Sequence, residues 1–350
     1  MNRNSNLIYF NNNCTTPLDE SVKKSMLLEQ NSAPEFTKTA TEKAIQQLCG
    51  LINARPPEIL FTTGTTESVI LALKGTYTHF KHKGNHIITN RTEHFAVLDC
   101  CKELEQMGAD VTYLPVNREG LIDPEELRAA IKSTTQLVSI MAANNETGVI
   151  QPVEKISGIC DEHQLFFFSD ASQFAGKVPC DLKELGIGAI AFGAHKMYGP
   201  DGIGLLYIHE KHGAIMDTIR ENYSGNLTLA QIIGFGKAAE ISQQNYWENS
   251  AHISKLKNYF EHQLLDLEGL VINGSTKHRL YNTSNLTFPD HEKIAALLNR
   301  FDFADNLKKP SYVLRAMGLS PDEIKSSFRF SFGKDNTLDE VKLLINEIMK

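Results

Sequence analysis

Two residues with complementary chemistry each stand just past the end of an apolar run. Asp170 closes Leu165-Phe166-Phe167-Phe168-Ser169-Asp170, and Lys196 closes Ala189-Ile190-Ala191-Phe192-Gly193-Ala194-His195-Lys196. A lysine can form a Schiff base with an aldehyde cofactor. A carboxylate can keep a pyridine nitrogen protonated, so that the ring draws off electrons. Together they fit the two protein contacts that pyridoxal 5'-phosphate requires. A salt bridge at the rim of a sheet accounts for the pair equally well.

The surrounding pattern says what would position them. From residue 58 to residue 208, short runs of Val, Ile, Leu and Phe (59–62, 86–89, 111–114, 137–141) alternate with helix-like stretches. That alternation predicts an α/β architecture with a mostly parallel sheet covered on both faces. Residues 202–208 read as a further strand, of antiparallel sense. Beyond them the texture changes: one long helical pattern over 229–267, then short strands near 270–272, 283–288 and 327–332. The expected division is a large domain over 14–235, and a smaller α+β domain from 1–13 plus 236–350.

In an open parallel sheet, ligands bind outside the carboxyl ends of the strands. Thr65 and Thr66 follow the first run at a helix start, where free N–H groups suit a phosphate. His94 follows the second run, Asn145 the run ending at Met141, and Asp170 with Gln173 the next. His195 and Lys196 follow the last. Singly, Thr65 and Thr66 read as helix caps, and His94 or Asn145 as ordinary loop residues. Five polar groups converging at five strand ends favour the cofactor over the salt bridge.

Composition narrows the class. The 35 Lys and Arg against 42 Asp and Glu give a charge of −7, which argues against a nucleic-acid or acidic-membrane surface. No long apolar stretch follows residues 1–6, so no signal peptide or membrane span is expected. Cysteines 14, 49, 100, 101, 160 and 180 show no CxxC spacing, and read as free thiols in a reducing cytoplasm. One of the adjacent Cys100 and Cys101 is expected to face the core. His79, His82 and His86 have helix-like spacing but no carboxylate or Cys nearby; a surface turn is expected there, and no metal.

Several stretches are similar to one family. Tyr9-Phe10-Asn11-Asn12-Asn13-Cys14-Thr15-Thr16-Pro17 resembles the YLDNNATTP of the cysteine desulfurases, the NifS/IscS-like members of the class V aminotransferase group. Residues 62–68 resemble their TSGATES, and Thr92-Glu93-His94 with Ala96-Val97-Leu98 their TEHxAVL. Residues 144–148, 170–173, 195–200 and 310–319 match as well. The resemblance implies a type I fold of pyridoxal-phosphate-dependent transferases and an enzyme acting on a small amino acid by C–S bond chemistry. Transamination, lyase chemistry, epimerisation, or a catalytically degenerate cofactor-binding partner are the alternatives. It also implies roles. Lys196 would be the Schiff-base lysine and proton shuttle, and His94 would stack on the ring and assist proton transfer. Asp170 would meet the ring nitrogen and Gln173 the phenolic oxygen. Thr66, His195 and backbone around Thr65 would hold the phosphate; Asn145 and Arg329 would hold the substrate carboxylate, with Asn13 and Cys14 close to the substrate. A homodimer and a sulfur-acceptor protein are further implications.

The chain departs from that family where sulfur is handled. The family's attacking cysteine lies on a mobile loop before the PSYVLRAMGL-like stretch, but residues 301–309 here form a shorter interval without cysteine. Residues 30–36 are a shortened stretch, a glycine-rich loop after Ile208 is missing, and Tyr223-Ser224-Gly225-Asn226 stands where the family has RSGT. Gly193 replaces a phosphate-contacting serine. Cys14 occupies a small-residue position near the substrate, either as a buried thiol packed beside Thr15 or as a relocated nucleophile or sulfur acceptor.

Overall fold

In chain order the strands are β1 (Ile8–Tyr9), β2 (Ile59–Thr62), β3 (His86–Asn90), β4 (Asp110–Leu114), β5 (Thr135–Ser139) and β6 (Phe166–Asp170). They continue with β7 (Ala189–Gly193), β8 (Gly204–Ile208), β9 (Val271–Ile272), β10 (Thr283–Thr287), β11 (Phe301–Asp302) and β12 (Ser327–Ser331). This computed structural model describes residues 7–28, 34–223 and 225–350. The N-terminal run 1–6, most of the shortened stretch 30–36 and Ser224 of the RSGT-like stretch lie outside the described residues.

Seven strands form the main sheet in the order β2-β8-β7-β6-β5-β3-β4. The pairs from β4 through β7 are parallel, whereas β8 runs antiparallel to both β7 and β2. Two reversals cancel, so the carboxyl ends of β2, β3, β5, β6 and β7 share one edge. Strands β3, β6, β7 and β8 are buried at every position, which is why they read as unbroken apolar runs. Alternate residues serve opposite faces. Ile87, Leu137, Phe168 and Leu206 pack with Val69, Leu73 and Tyr77 of the helix Thr65–Phe80. Their neighbours Ile88, Val138, Phe167 and Leu205 pack with Ile156 and Phe235 on the other side.

A second, antiparallel sheet of order β12-β10-β9 carries its own apolar cluster, which includes Phe10, Phe260, Phe328, Phe330 and Leu344. Phe10 arrives there because β1 pairs in parallel with β11.

Three local expectations need correction. The helical pattern over 229–267 is two helices, Leu229–Gln244 and Tyr246–Leu264, broken at Asn245. Asparagine's side chain competes for nearby backbone groups and favours helix ends. Cys100 and Cys101 are both buried, because a core-facing helix stripe is wide enough to take two successive positions. His86 lies inside β3, where its Nδ1 and Nε2 meet the hydroxyls of Thr135 and Thr112 at 2.6 and 2.8 Å. Among the described residues, no cluster of three or more His, Cys, Asp or Glu could hold a metal ion, and no helix is long and apolar enough to cross a membrane.

Candidate active site

At the shared sheet edge lies a cavity of about 690 Å³. Thr65, Thr66, His94 and Asn145 line it, as do Asp170, Gln173, His195 and Lys196, so eight of the residues singled out by sequence meet there. Asn13, Cys14 and Arg329 are not among its lining residues. Arg329 faces an adjoining cavity of about 180 Å³, and Asn145 lines both.

Lys196 ends the short 3-10 turn that follows β7. Its Nζ donates to the backbone carbonyls of Asn13 at 2.7 Å and Cys14 at 2.5 Å. Burial, with a further push from Arg329, brings its ammonium down to about 8. Desolvation likewise takes the His195 imidazole down to about 4, and Lys196 adds to that. Near neutral pH, His195 is therefore uncharged and Lys196 is within reach of deprotonation. Asp170 sits at the end of β6, buried, with Oδ1 accepting from Ser172 N at 2.9 Å. His94 caps the helix Phe95–Gln106: its Nδ1 accepts from Ala96 N at 3.1 Å, which leaves the proton on Nε2.

One end of the cavity is built by the helix Thr65–Phe80. Gly64 precedes it with φ of 154° and supplies no side-chain cap, and Gly64, Thr65 and Thr66 of that helix start line the cavity, where uncapped N–H groups suit an anion. Thr65 Oγ1 is buried without a partner. A Cβ on Gly193 would come within 2.8 Å of that hydroxyl, so glycine keeps room at the Thr65 end.

Pyridoxal phosphate fits these residues. An uncapped helix end and an orphaned threonine hydroxyl suit a phosphate, and a buried carboxylate suits a pyridinium. A lysine whose charge burial disfavours suits imine formation. When bound, the group supplies an electron sink beside the substrate amino group.

Around Arg329 and Asn145 the contacts run to backbone as much as to side chains. Arg329 Nη1 donates to Asn145 O at 3.0 Å and Nη2 to Asn11 Oδ1 at 2.5 Å. The Asn145 Oδ1 is buried and unpartnered. Asn13 is buried and acts through main chain and side chain alike: its carbonyl accepts from Gln173 Nε2 at 2.9 Å as well as from Lys196, and its Nδ2 donates to Thr283 Oγ1 at 2.8 Å. Cys14 corrects the buried reading: its side chain is exposed. Its backbone, not its thiol, is what the turn uses, N donating to Asn11 O at 2.9 Å.

Two residues went unrecognised in the sequence. Glu93 is buried; it accepts from Met141 N at 2.5 Å and Asn90 Nδ2 at 2.7 Å, and burial pushes its carboxyl up. Lys177 is buried against Gln173. Lysine after Ala-Gly reads as a surface turn; its spacing of four from Gln173 was the available signal.

A mostly parallel sheet with a lysine, a carboxylate and an uncapped helix end converging at one edge defines an enzyme dependent on pyridoxal phosphate. The family model described as aminotransferase class-V matches residues 8–344. A cysteine desulfurase IscS from Mannheimia succiniciproducens is 39% identical, the match covering 97% of this chain and 91% of that protein. Its counterpart from Neisseria meningitidis is also 39% identical, over 96% and 89%. Among solved structures, a NifS-like protein superposes with a TM-score of 0.89 at 32% identity, over 98% of both chains. Another, titled SspA in complex with cysteine, gives 0.80 at 29% identity, over 94% of this chain and all of that one (100%). The chain belongs to the class V aminotransferase family, among its cysteine desulfurase-like members.

Proposed function

We propose that this protein breaks the carbon–sulfur bond of a small amino acid, cysteine foremost, with Lys196 moving the proton at Cα. The observation that carries the reading is Lys196 itself. Burial holds its ammonium near 8, and its cavity also contains Asp170, Gln173 and His94. A group poised near the working pH can both take and return a proton. In this reading Asp170 meets the ring nitrogen and Gln173 the phenolic oxygen, while His94 covers the ring. Thr65, Thr66 and His195 hold the phosphate. Asn145 and Arg329 hold the substrate carboxylate, for which a guanidinium offers parallel donors. Asn13 sets Lys196 in place through its carbonyl, and Cys14 stands beside the substrate.

The sulfur needs an acceptor. Residues 301–309 contain no cysteine, and the interval is tied down: Asn306 Nδ2 donates to Ser327 O at 2.9 Å, and Lys309 lies 4.1 Å over the Phe95 ring. Five of the six cysteines are buried and Cys14 alone is exposed, which favours a second reading in which Cys14 takes the sulfur. A new S–S bond would form as the C–S bond breaks, and the released carbon would take up a proton. Otherwise an external thiol or acceptor protein receives it.

The test is a product assay of the cofactor-loaded protein with a panel of amino acids. Sulfide plus alanine from cysteine supports the proposal. Pyruvate would point to lyase chemistry and keto acids to transamination. A spectral change with no product from any substrate would overturn it in favour of a binding role. Alkylation and peptide mapping during turnover decide on Cys14. The same reading carries a homodimer, whose sites are completed across the interface, and a cytoplasmic setting. It also carries the two-domain division at 14–235 and 1–13 plus 236–350, supported by the separate apolar cluster around Phe10 and Phe330.

A further inference from the structure

Gln173 has a carboxamide whose two ends are chemically opposite, and the protein must choose which end meets the cofactor. One end is the donor Nε2, which lies 2.9 Å from the carbonyl of Asn13. The same carbonyl accepts from Lys196 Nζ at 2.7 Å, so Nε2 is the end beside the reactive lysine. The other end, Oε1, accepts from Lys177 Nζ at 2.5 Å. A carbonyl only accepts, so rotating the amide by half a turn would set oxygen against oxygen at Asn13 and take the acceptor Oε1 away from the Lys177 N–H. That loss would be buried, since Gln173, Lys177 and Asn13 are all enclosed, and a buried unpaired donor or acceptor is costly.

We propose that Lys177 is a positioning residue, whose N–H donor, acting opposite the Asn13 carbonyl, fixes the polarity of the Gln173 amide so that an N–H, never a carbonyl oxygen, faces the cofactor's phenolic oxygen. This rests on the assignment of Gln173 to that oxygen. Lys177 is itself held from one further side, by Asn13 Oδ1 at 3.5 Å. That oxygen also accepts from Asn282 Nδ2 at 3.0 Å, which ties the arrangement to the smaller sheet.

The charged groups acting on Lys177 are Lys196 and Arg329, both of like sign, with His195 nearby. Those acting on Lys196 are Cys14, Arg329, Asp170 and Asp201. Among the described residues, no carboxylate is seen to act on Lys177. Its place is therefore not explained by an ion pair, and burial together with the like charges pushes its ammonium well down. A lysine kept under those conditions is kept for its donor.

The consequence is electronic. An N–H given to the phenolic oxygen draws its charge away from the neighbouring nitrogen of Lys196, which lowers the pH at which that nitrogen loses its proton. Removing the donor at 177 should raise that pH.

The test is a pH titration of the visible absorption of the cofactor-loaded protein, with thermal unfolding recorded for every variant. Lys177→Met should raise the midpoint by about half to one pH unit, the worth of one hydrogen bond. Lys177→Gln, which still offers an N–H to Oε1, should stay close to the unsubstituted protein. In a Gln173→Met background, Lys177→Met should add nothing, because the two act as one unit. A midpoint unmoved by Lys177→Met, while Gln173→Met moves it, overturns this role of Lys177 and leaves the Gln173 assignment standing. A shift of equal size in Lys177→Gln and Lys177→Met, or one that persists without Gln173, would show that charge alone acts, and also overturns it. A midpoint unmoved by Gln173→Met overturns the Gln173 assignment and this inference with it.

Discussion

Lys196→Met in the cofactor-free protein should reverse part of the pH dependence of folding. The lysine's ordinary value is 10.5, and burial brings it to about 8 in the folded chain. Between those two values the unfolded chain binds more protons than the folded one, so stability rises with pH. Below pH 8 lysine is charged in both states, and the folded state bears the whole cost of burying the charge. Above 10.5 the lysine is neutral in both and the cost is gone. At about 1.4 kcal/mol per pH unit, the unsubstituted protein should gain on Lys196→Met by about 1 kcal/mol between pH 7 and 9, and about 2–3 kcal/mol by pH 10. Methionine keeps the length of the stem and cannot titrate, so all other groups cancel in the difference. Urea unfolding of both proteins at pH 7, 8, 9 and 10 measures it. A difference that stays flat across that range would refute the argument that burial disfavours the Lys196 charge.

Two further outcomes follow from geometry. Asp170→Asn replaces a charge-bearing partner with a neutral amide, and should lower kcat by about 10- to 100-fold, the worth of a charged hydrogen bond, while circular dichroism stays unchanged. Glu261→Leu should destabilise the fold by about 3–5 kcal/mol, read from urea unfolding. Glu261 forms a double hydrogen bond with Arg279 at 2.8 and 2.9 Å, and both side chains are almost fully enclosed, so its loss strands a buried guanidinium.

Much of the large sheet was legible because strands buried on both faces cannot hide. Phe166-Phe167-Phe168 and Ile190-Ala191-Phe192 announce themselves, and residues at their carboxyl ends fall together once the sheet is parallel. The antiparallel sense of β8 was legible too. Less legible was whatever depended on contacts distant in the chain. Asn13 could be assigned to the substrate from its motif, yet its main-chain carbonyl is what meets Lys196, and backbone roles leave no mark on side-chain identity. Lys177 looks solvent-bound because its spacing of four from Gln173 says nothing of Asn13, which is distant in the chain and closes over it. The exposure of Cys14 depends on the path of a turn held from residue 331, through Asn12 N and Ser331 O at 3.1 Å.

That last tether has a consequence for how the protein is made. Asn12 Nδ2 also donates to the Ser331 carbonyl, a bond spanning 319 residues. The carbonyl that receives Lys196 sits on the very next residue, at the opposite end of the message from the strand that anchors it. At ribosomal speeds of about 5–20 residues per second, the beginning of the chain waits roughly 15–60 seconds for its partner to emerge. The central sheet, residues 59–208, is made well before that partner. The seat of Lys196 therefore rests on contacts that span most of the length of the chain.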